Sequence, residues 1–333
     1  MKKLFITFIA LIFIQLGAYA QRVNVAFTID NNYPIFTLLA INSILVNNAS
    51  NSDYTFYIIE NNVTARNKKF MRNFVEDKKQ KIEFINIDTS IIDNGKYFYT
   101  FSDGQRITPI GMARIMIPEL LPNDVDRVIY IDGDTLITAD LKELYNEDLG
   151  SKYIGMSKNF GNLEYKMYKF STYCNSGVIL MDLNKLREHN ISKKMVTYLN
   201  VHSKEFIYSG ETDNSVYLYP DQDLINVVLD KNIKLLDQRW NNQTIRRVAL
   251  SDFNQPGIIH YIGPNKPWDF PKYYTYGVKM YYQYWKASSL KKYLYLHKFK
   301  SVKREYIDLC RKKYSRYKMV LKSMKQGKFT FLY

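Results

Sequence analysis

Cysteine is scarce in this chain of 333 residues: only Cys174 and Cys310 are present, and they lie far apart in sequence. Two distant thiols support neither a disulfide framework nor a metal site built from cysteines. Such usage is typical of reduced thiols in a cytosolic protein. Internal repeats and low-complexity linkers are also lacking before about residue 270. The length then allows one large domain with appendages, or two small domains.

A hydrophobic run of about 20 residues, the usual length of a membrane span, is lacking at the amino terminus. Met1-Lys2-Lys3 precedes a largely apolar run of 13 residues at positions 4–16, and Ala18-Tyr19-Ala20 resembles a cleavage site before Gln21. Residues 1–20 are therefore predicted to be a secretory signal peptide or a short membrane anchor. This prediction leaves export open, in conflict with the cytosolic thiols.

An excess of one charge is lacking over most of the chain. Residues 1–285 hold 32 basic and 30 acidic side chains, although the whole chain has a net charge of +15. Residues 286–333 carry 15 basic side chains against Glu305 and Asp308, a net charge of +13. The basic charge is thus a property of the tail. At 46% hydrophobic and 15% aromatic residues, the chain can bury a core, which excludes global disorder.

Strand and helix patterns alternate from residue 23 onward. Apolar segments at residues 23–28, 55–59 and 82–87 are separated by helical spacing at residues 35–46 and 65–75. This alternation, every 25–30 residues or so, is typical of a parallel sheet built from βαβ units. Further patterns predict a helix at 110–121, one or two helices at 184–200, a helix at 223–229, and strands at 126–131, 153–156, 178–182 and 257–262. The expected class is α/β.

Two carboxylates follow one of these strands, in Arg127-Val128-Ile129-Tyr130-Ile131-Asp132-Gly133-Asp134. The apolar run between charged residues is typical of a strand buried on both faces, and ligands bind beyond the carboxyl ends of such strands. Asp132 and Asp134 offer hard oxygen ligands to a divalent cation that can hold a diphosphate. An Asp-Gly turn with solvated carboxylates would account for the same residues.

Two polar clusters stand next to other predicted elements. Cys174-Asn175-Ser176-Gly177 precedes the strand at 178–182, and its small residues allow close approach of a sugar, or form a bulge. Asp221-Gln222-Asp223 opens the helix at 223–229. Its side chains suit sugar hydroxyls, although acidic residues at a helix start also cap free N–H groups.

A histidine and a lysine occur together in His260-Tyr261-Ile262-Gly263-Pro264-Asn265-Lys266-Pro267-Trp268. A lone histidine at the end of an apolar strand is usually structural. Added to two carboxylates, however, an imidazole shifts metal preference from Mg²⁺ towards Mn²⁺ or a transition metal, and lysine binds phosphate as a point charge.

In this order, the segments resemble glycosyltransferase family 8 and, within it, bacterial lipopolysaccharide and lipooligosaccharide galactosyl- and glucosyltransferases. The matching segments are Phe27-Thr28-Ile29-Asp30-Asn31-Asn32-Tyr33, Met112-Ala113-Arg114-Ile115, Tyr130-Ile131-Asp132-Gly133-Asp134, Asn175-Ser176-Gly177-Val178, Asp221-Gln222-Asp223 and residues 260–268. They span about three quarters of the chain. The ordered set of segments, above all residues 260–268, is specific for this family. Two aspartates separated by one residue are too common to identify a family on their own.

The resemblance implies a GT-A type fold over residues 21–270, a Rossmann-like mixed sheet flanked by helices that binds nucleotide-diphospho-sugars. It implies a retaining transferase that moves galactose or glucose from a UDP-sugar to a lipid-linked or lipopolysaccharide glycan. Mn²⁺ is the implied cofactor, with Mg²⁺ as the alternative.

The resemblance also implies a role for each matching residue. Asp132, Asp134 and His260 would bind the metal; Asp30, Asn32 and Tyr33 the uridine; Gly263 and Lys266 the diphosphate; and Arg114, Asn175, Ser176 and Asp221 the donor sugar, with Asp221 and Gln222 as the catalytic pair. Gln222 would face the anomeric carbon. Because an amide is a poor nucleophile, the acceptor hydroxyl is expected to attack from the front face and to lose its proton to a leaving phosphate oxygen.

One segment departs from the family pattern. Relatives often place an aspartate after a Gly-x-Ser segment, whereas this chain has Gly155-Met156-Ser157-Lys158-Asn159. The donor sugar therefore stays open. Two alternative functions remain as well: a nucleotidyltransferase, and a non-catalytic module that binds nucleotide sugars. The first would not require residues 260–268, and the second would tolerate loss of the metal ligands.

The tail is rich in aromatic as well as basic residues: 12 of the 29 tyrosines lie after residue 270. Residues 271–333 are predicted to bind an anionic membrane surface. A solvated basic extension and a nucleic-acid patch are the alternatives, but a lipid-linked acceptor favours the membrane, and no nucleic-acid partner is expected. We therefore expect a protein at the cytoplasmic face of the inner membrane, peripheral or anchored.

Overall fold

The computed structural model describes residues 21–88, 109–160, 172–202, 220–244, 255–263, 266–269, 275–293 and 318. The predicted signal peptide or anchor and nearly all of the chain after residue 293 lie outside the described residues. The chain divides into two compact units, Met1–Pro264 and Asn265–Tyr333. Within the described residues, no helix is long and apolar enough to cross a membrane.

Ten strands are found among the described residues of the first unit. They are β1 (Arg22–Asp30), β2 (Asp53–Asn61), β3 (Lys81–Asn86), β4 (Arg127–Ile131), β5 (Thr135–Ile137), β6 (Ile154–Met156), β7 (Val178–Asp182), β8 (Ile233–Leu235), β9 (Asn242–Gln243) and β10 (Ile258–His260). Seven form one sheet in the order β3-β2-β1-β4-β7-β6-β8. The first four are parallel, and β7 runs antiparallel to both β4 and β6. The predicted α/β class and mixed sheet are confirmed.

Helices connect these strands. They are α1 (Pro34–Val46), α2 (Ala65–Glu76), α3 (Pro109–Met112), α4 (Ile117–Leu120), α5 (Leu141–Tyr145), α6 (Leu183–Glu188), α7 (Ile191–Val201) and α8 (Pro220–Leu229) in the first unit, and α9 (Tyr276–Ala287) in the second. Pro34 opens α1, where its missing N–H costs no helical hydrogen bond.

The strand that ends at the two carboxylates lies in the middle of the large sheet. Val128, Ile129, Tyr130 and Ile131 of β4 are fully buried, because β1 and β7 flank the strand and apolar side chains cover its faces. The apolar run at 127–131 therefore correctly predicted a strand buried on both faces. Cys174, in the same core, is buried, and this burial raises the pKa of its thiol to about 12.

One predicted helix differs from the structure. The single helix predicted over 110–121 is interrupted: a 3₁₀ turn, Ala113–Met116, separates α3 from α4. Pro118 cannot donate a backbone hydrogen bond, so a continuous α-helical ladder cannot pass through this segment. The segment at 184–200, predicted as one or two helices, forms the two helices α6 and α7, with Asn190 between them in the left-handed region at φ 50°.

A second, small sheet places His260. Strand β10 pairs antiparallel with β5 and parallel with β9, so that His260 lies opposite Thr135 on one side and Gln243 on the other. Tyr261 N–H donates to the carbonyl of Asp134 at 2.9 Å. Since β5 directly follows the two carboxylates, this sheet brings a residue 126 positions away next to Asp134.

In the second unit, α9 begins at the side-chain cap of Thr275. Its apolar face is already buried, with Tyr281 and Trp285 in edge-on ring contact and Trp285 Nε1 donating to the carbonyl of Leu290 at 2.9 Å. Helix α9 thus contributes a packed element, and the expected membrane contact of residues 271–333 stays a prediction.

Candidate active site

The predicted site residues from Asp30 to His260 lie together at one edge of the large sheet. Strand β1 ends at Asp30, and β4 ends just before Asp132. Because β7 is antiparallel to β4, its first residue, Val178, pairs with Ile131, the last residue of β4. The Asn175-Ser176-Gly177 segment before β7 therefore lies beside the two carboxylates. The sequence pattern alone did not reveal this antiparallel step.

Asp132, Asp134 and His260 form a group whose ligand atoms all lie within 4.8 Å of one another. His260 Nε2 lies 3.4 Å from Asp134 Oδ1 and 3.7 Å from Asp132 Oδ2. Asp134 and His260 are buried. Two carboxylates and one imidazole are a suitable donor set for Mn²⁺ or another divalent cation of similar preference. The three residues predicted as metal ligands can thus hold one ion together.

Arg114, at the 3₁₀ turn between α3 and α4, is a buried cation beside the metal group. Its Nη2 lies 3.1 Å from Asp132 Oδ1, its Nε lies 3.2 Å from Asp221 Oδ2, and its Nη1 donates to the carbonyl of Ser176 at 2.8 Å. The guanidinium also lies over the ring of Tyr130, with Cζ 4.7 Å from the ring centre. One buried side chain therefore joins three of the matching segments.

Burial and charge act against each other at this ion pair. Burial raises the pKa of Asp132, while the Arg114 guanidinium acts to lower it. Burial would lower the pKa of Arg114, but the carboxylates of Asp132 and Asp221 outweigh it and raise that pKa above its ordinary value. Tyr130 donates its hydroxyl hydrogen bond to Asp132 and accepts one from Thr28 at 2.9 Å. Arg114 therefore stays charged, and Tyr130 supports the carboxylate.

Gln222 lies next to this ion pair, almost completely buried. Its Oε1 accepts from Asn175 Nδ2 at 2.9 Å and from the Ser176 backbone N–H at 3.2 Å, and its Nε2 donates to the Tyr173 hydroxyl at 2.8 Å. Asp221 accepts from Ser176 Oγ at 3.0 Å. The residues of the Asp221-Gln222-Asp223 segment thus contact the Asn175-Ser176-Gly177 segment and Arg114, which a helix cap alone would not require.

Gly177 leaves space for the imidazole of His260. A Cβ added at this glycine would lie 2.1 Å from His260 Cε1, 2.6 Å from His260 Nδ1 and 2.9 Å from Asp132 Oδ2. No side chain fits there without displacement of the ring. The glycine of this segment is therefore needed for the metal group, a role that its position before a strand did not reveal.

Replacement of Gly177 by alanine is expected to lower metal affinity and turnover together, each by about 100-fold or more, because a ligand moved by ~1 Å loses its geometry. Titration with Mn²⁺ and a turnover assay measure the two losses. Gly150→Ala is the control: Gly150 has φ +54° and open space around it, so alanine there costs about 1–2 kcal/mol of stability without an effect on turnover. Normal metal affinity in Gly177→Ala would contradict the geometry.

The three residues predicted to hold the uridine lie in the turn after β1. Asp30 Oδ1 accepts from the backbone N–H of Asn32 at 2.8 Å, which shapes this turn. Tyr33 lies close to Gly133, since a Cβ added at that glycine would be 3.2 Å from Tyr33 Cδ1 and 2.9 Å from Thr37 Oγ1. The turn therefore adjoins the carboxylate pair, as expected for neighbouring parallel strands.

The two residues predicted to contact the diphosphate lie on different units. Gly263 belongs to the first unit and has φ +80°, a conformation that a glycine adopts without strain. Lys266 belongs to the second unit. Its contact with a diphosphate stays a prediction.

Several side chains of the site lie outside the motifs found in the sequence. Asn241 is fully buried and lies between His260 and Asn175, and the Tyr173 hydroxyl donates to Asp223. Asn159, in the segment that departs from the family pattern, accepts from Asn175 Nδ2 at 3.3 Å. A single asparagine or tyrosine is common in any chain, so the sequence alone did not identify Asn241 or Tyr173 as site residues.

Comparison with known proteins agrees with this geometry. The family model described as glycosyl transferase family 8 matches residues 24–271. A putative glycosyltransferase of Haemophilus influenzae is 28% identical over 262 residues, which cover 75% of this chain and 74% of that protein. The lipopolysaccharide 1,2-glucosyltransferase of Escherichia coli K12 is 24% identical over 330 residues, which cover 89% of this chain and 92% of the relative.

Solved structures show the same fold. The galactosyltransferase LgtC, crystallised with donor and acceptor sugar analogues, aligns with a TM-score of 0.67 at 21% identity, covering 80% of this chain and 96% of that one. The bifunctional glycosyltransferase WbbM aligns with a TM-score of 0.62 at 20% identity and covers 85% and 53% of the two chains. At such identities the likeness concerns the fold, and it confirms the predicted GT-A type.

Proposed function

Because the chain belongs to glycosyltransferase family 8, we propose that this glycosyltransferase moves galactose or glucose from a UDP-sugar to a glycan acceptor, with metal dependence and with retention of configuration. The observation that carries the proposal is the group of Asp132, Asp134 and His260, with ligand atoms within 4.8 Å of one another, beside the Arg114 ion pairs. This arrangement suits a diphosphate leaving group next to a sugar.

A divalent metal bound by Asp132, Asp134 and His260 would neutralise the charge that develops on the diphosphate. Arg114 keeps the carboxylates of Asp132 and Asp221 in place on either side of its guanidinium. The burial of Asp134 and His260 lowers the local dielectric and so strengthens each electrostatic contact with the leaving group. These charged side chains would form the part of the site that holds the diphosphate.

Retention is proposed to follow from the character of Gln222. Its amide oxygen already accepts two hydrogen bonds, and an amide is a poor nucleophile. Attack by the acceptor hydroxyl from the front face, with proton transfer to a phosphate oxygen, keeps the anomeric configuration. The role of Gln222 would then be to hold and polarise the sugar.

Gln222→Ala is accordingly expected to lower turnover by about 100-fold, with the dissociation constant for UDP changed by less than about threefold, because the amide faces the sugar side of the site. Initial-rate kinetics and calorimetric titration with UDP measure the two effects. A large rise in the UDP dissociation constant would show instead that Gln222 supports the nucleotide site through Ser176.

Donor hydrolysis with a panel of UDP-sugars, with and without Mn²⁺, tests the proposal directly. We expect metal-dependent release of UDP from UDP-galactose or UDP-glucose, and NMR of an early product should show the anomeric configuration of the donor. UDP binding without hydrolysis of any donor would favour a non-catalytic binding module. Release of pyrophosphate from nucleoside triphosphates would favour a nucleotidyltransferase.

A lipid-linked or lipopolysaccharide acceptor at the cytoplasmic face of the inner membrane is part of the proposal. UDP-sugars are cytosolic, and a lipid-linked acceptor lies at the membrane. The likeness to a lipopolysaccharide 1,2-glucosyltransferase supports such an acceptor. Residues 294–333 contain 12 basic and two acidic side chains, which suits an anionic lipid surface.

Truncation after Tyr293 is expected to release the protein from anionic vesicles without loss of donor hydrolysis. Each basic residue near such a surface contributes about 1 kcal/mol, screened over roughly 8–10 Å, so binding should weaken as salt rises. Helix α9 is left intact by this truncation. Co-sedimentation with vesicles of 30% or so anionic lipid measures the effect. Full-length protein that ignores these vesicles at low salt would refute the membrane contact.

A further inference from the structure

Asn241 is a fully buried side chain that connects the metal group with the sugar side of the site. It ends the 3₁₀ turn Gln238–Asn241, directly before β9. Its Oδ1 lies 2.9 Å from His260 Nδ1, and its Nδ2 lies 2.8 Å from Asn175 Oδ1. Both ends of one amide are thus engaged by residues of the proposed active site.

Asn241 is one member of a continuous series of hydrogen bonds. The series runs His260, Asn241, Asn175, Gln222, Tyr173 and Asp223. Five of these residues are nine-tenths or more buried: His260, Asn241, Asn175, Gln222 and Asp223. Inside a protein such amides must have donors opposite acceptors, since a mismatch leaves two oxygens or two N–H groups face to face.

Two backbone N–H groups set the direction of the whole series. The N–H of Ser176 points to Gln222 at 3.2 Å, and the N–H of Gly177 points to Asn175 at 3.0 Å. A backbone N–H can only donate. The atom of Gln222 next to Ser176 must therefore be the oxygen Oε1, and the atom of Asn175 next to Gly177 must be the oxygen Oδ1.

The direction then passes to the imidazole. Because Asn175 presents its oxygen, Asn241 must present Nδ2 to it, and Asn241 Oδ1 consequently faces His260. An oxygen opposite Nδ1 requires a proton on Nδ1. The neutral ring then has its lone pair on Nε2, the nitrogen that faces Asp134 and Asp132 at 3.4 and 3.7 Å. Only a nitrogen with a free lone pair can bind a metal.

We propose that Asn241 is a positioning residue that holds His260 in the Nδ1–H tautomer, with a polarity set by the backbone of Ser176 and Gly177, so that Nε2 is ready for a metal. The inference rests on the metal dependence in the proposed function. It also couples the metal ligand to Gln222, because the same series of amides orients both. Asn241, a side chain outside every motif, thereby orients His260 and links it to Asn175.

The tautomer can be measured on the metal-free protein. Long-range ¹H–¹⁵N NMR of the imidazole nitrogens, with His260→Ala to identify the signal among the four histidines, should show a proton on Nδ1. A ring protonated at Nε2 alone would overturn the inference. This measurement needs neither metal nor substrate, so it tests the tautomer independently of the proposed function. Absence of sugar transfer by the wild type would overturn the proposed function and leave the tautomer measurement valid.

Two variants separate the two hydrogen bonds of Asn241. Asn241→Asp keeps an acceptor for His260, so Mn²⁺ affinity should stay within about threefold of the wild type. It also places an oxygen against Asn175 Oδ1, so turnover should fall by about tenfold or more. Asn241→Leu removes both bonds, so Mn²⁺ affinity, measured by titration in the presence of UDP, should fall by about 10–100-fold.

Asn24→Leu is the matched control. Asn24 is also a buried amide, with bonds to the Arg127 carbonyl and the Tyr145 hydroxyl near the opposite edge of the sheet, and it should change thermal stability alone. Wild-type Mn²⁺ affinity in Asn241→Leu, or a parallel loss of affinity and turnover in Asn241→Asp, would overturn the inference. Should Asn241→Leu not fold, the wild-type tautomer and Asn241→Asp decide.

Discussion

Asp134→Asn is expected to lower sugar transfer by about 1000-fold or more, which corresponds to roughly 4 kcal/mol of lost transition-state stabilisation. The substitution keeps the size of this buried side chain and removes its charge next to His260 Nε2. A neutral amide oxygen is a weak ligand for a divalent cation, so the charge on a diphosphate leaving group would be poorly screened. Initial rates of transfer and titration with Mn²⁺ in the presence of UDP measure the loss.

Asp182→Asn is the control for this substitution. Asp182 ends β7 at the other edge of the sheet, where its Oδ1 accepts from the backbone N–H of Lys185 and caps α6. Asparagine is an equally good cap, so both stability and transfer should stay close to those of the wild type. A transfer rate of Asp134→Asn within tenfold of the wild-type rate would contradict the assignment of Asp134 as a metal ligand.

Arg114→Met is expected to lower the free energy of unfolding by about 3–5 kcal/mol near neutral pH and to abolish transfer, because two partly buried carboxylates lose their buried cation. Arg114 Nη2 lies 3.1 Å from Asp132 and Arg114 Nε lies 3.2 Å from Asp221, with the side chain of Arg114 only 9% exposed. Arg114→Lys should have a stability and a transfer rate between those of the wild type and those of Arg114→Met. An ammonium keeps the charge, but it cannot reach both carboxylates and the Ser176 carbonyl at once. Denaturant unfolding and donor hydrolysis measure both effects.

Arg187→Met provides the comparison for Arg114→Met. Arg187 donates to backbone carbonyls, among them those of Pro118 and Val125, and so holds the loop before β4. Its loss should cost stability and leave transfer of the folded fraction unchanged. Equal losses of transfer in Arg114→Met and Arg187→Met would mean that Arg114 acts only through stability. A free energy of unfolding of Arg114→Met within about 1 kcal/mol of the wild-type value would contradict a stabilising ion pair at Arg114.

Much of the first half of the fold is local and could be predicted. The strands at 23–28, 55–59 and 82–87 and the helices at 35–46 and 65–75 are confirmed, with each end within two residues, because apolar spacing and length mark buried strands and helices clearly. Strands β5, β8 and β9 have two or three residues each and were not predicted, because so short a segment rarely shows a pattern. They form because neighbouring strands offer unpaired backbone groups.

The motifs determined which residue types are present, and the sequence by itself was sufficient for the family and for every member of the Asp132, Asp134 and His260 group. Their meeting depends on pairings over long separations: β7 antiparallel to β4, and β10 between β5 and β9. Such pairings arise from the packing of the whole domain. Local propensity carries no information about them.

The buried polar contacts were decided by tertiary structure alone. Asn241, Tyr173 and the space beside Gly177 acquire their roles because burial requires each polar atom to find a partner and each void to be filled. A motif of charged residues can be recognised in a linear chain, since its chemistry resides in the side chains themselves. The orientation of those side chains is a property of the surrounding atoms, and it exists only once the chain has folded.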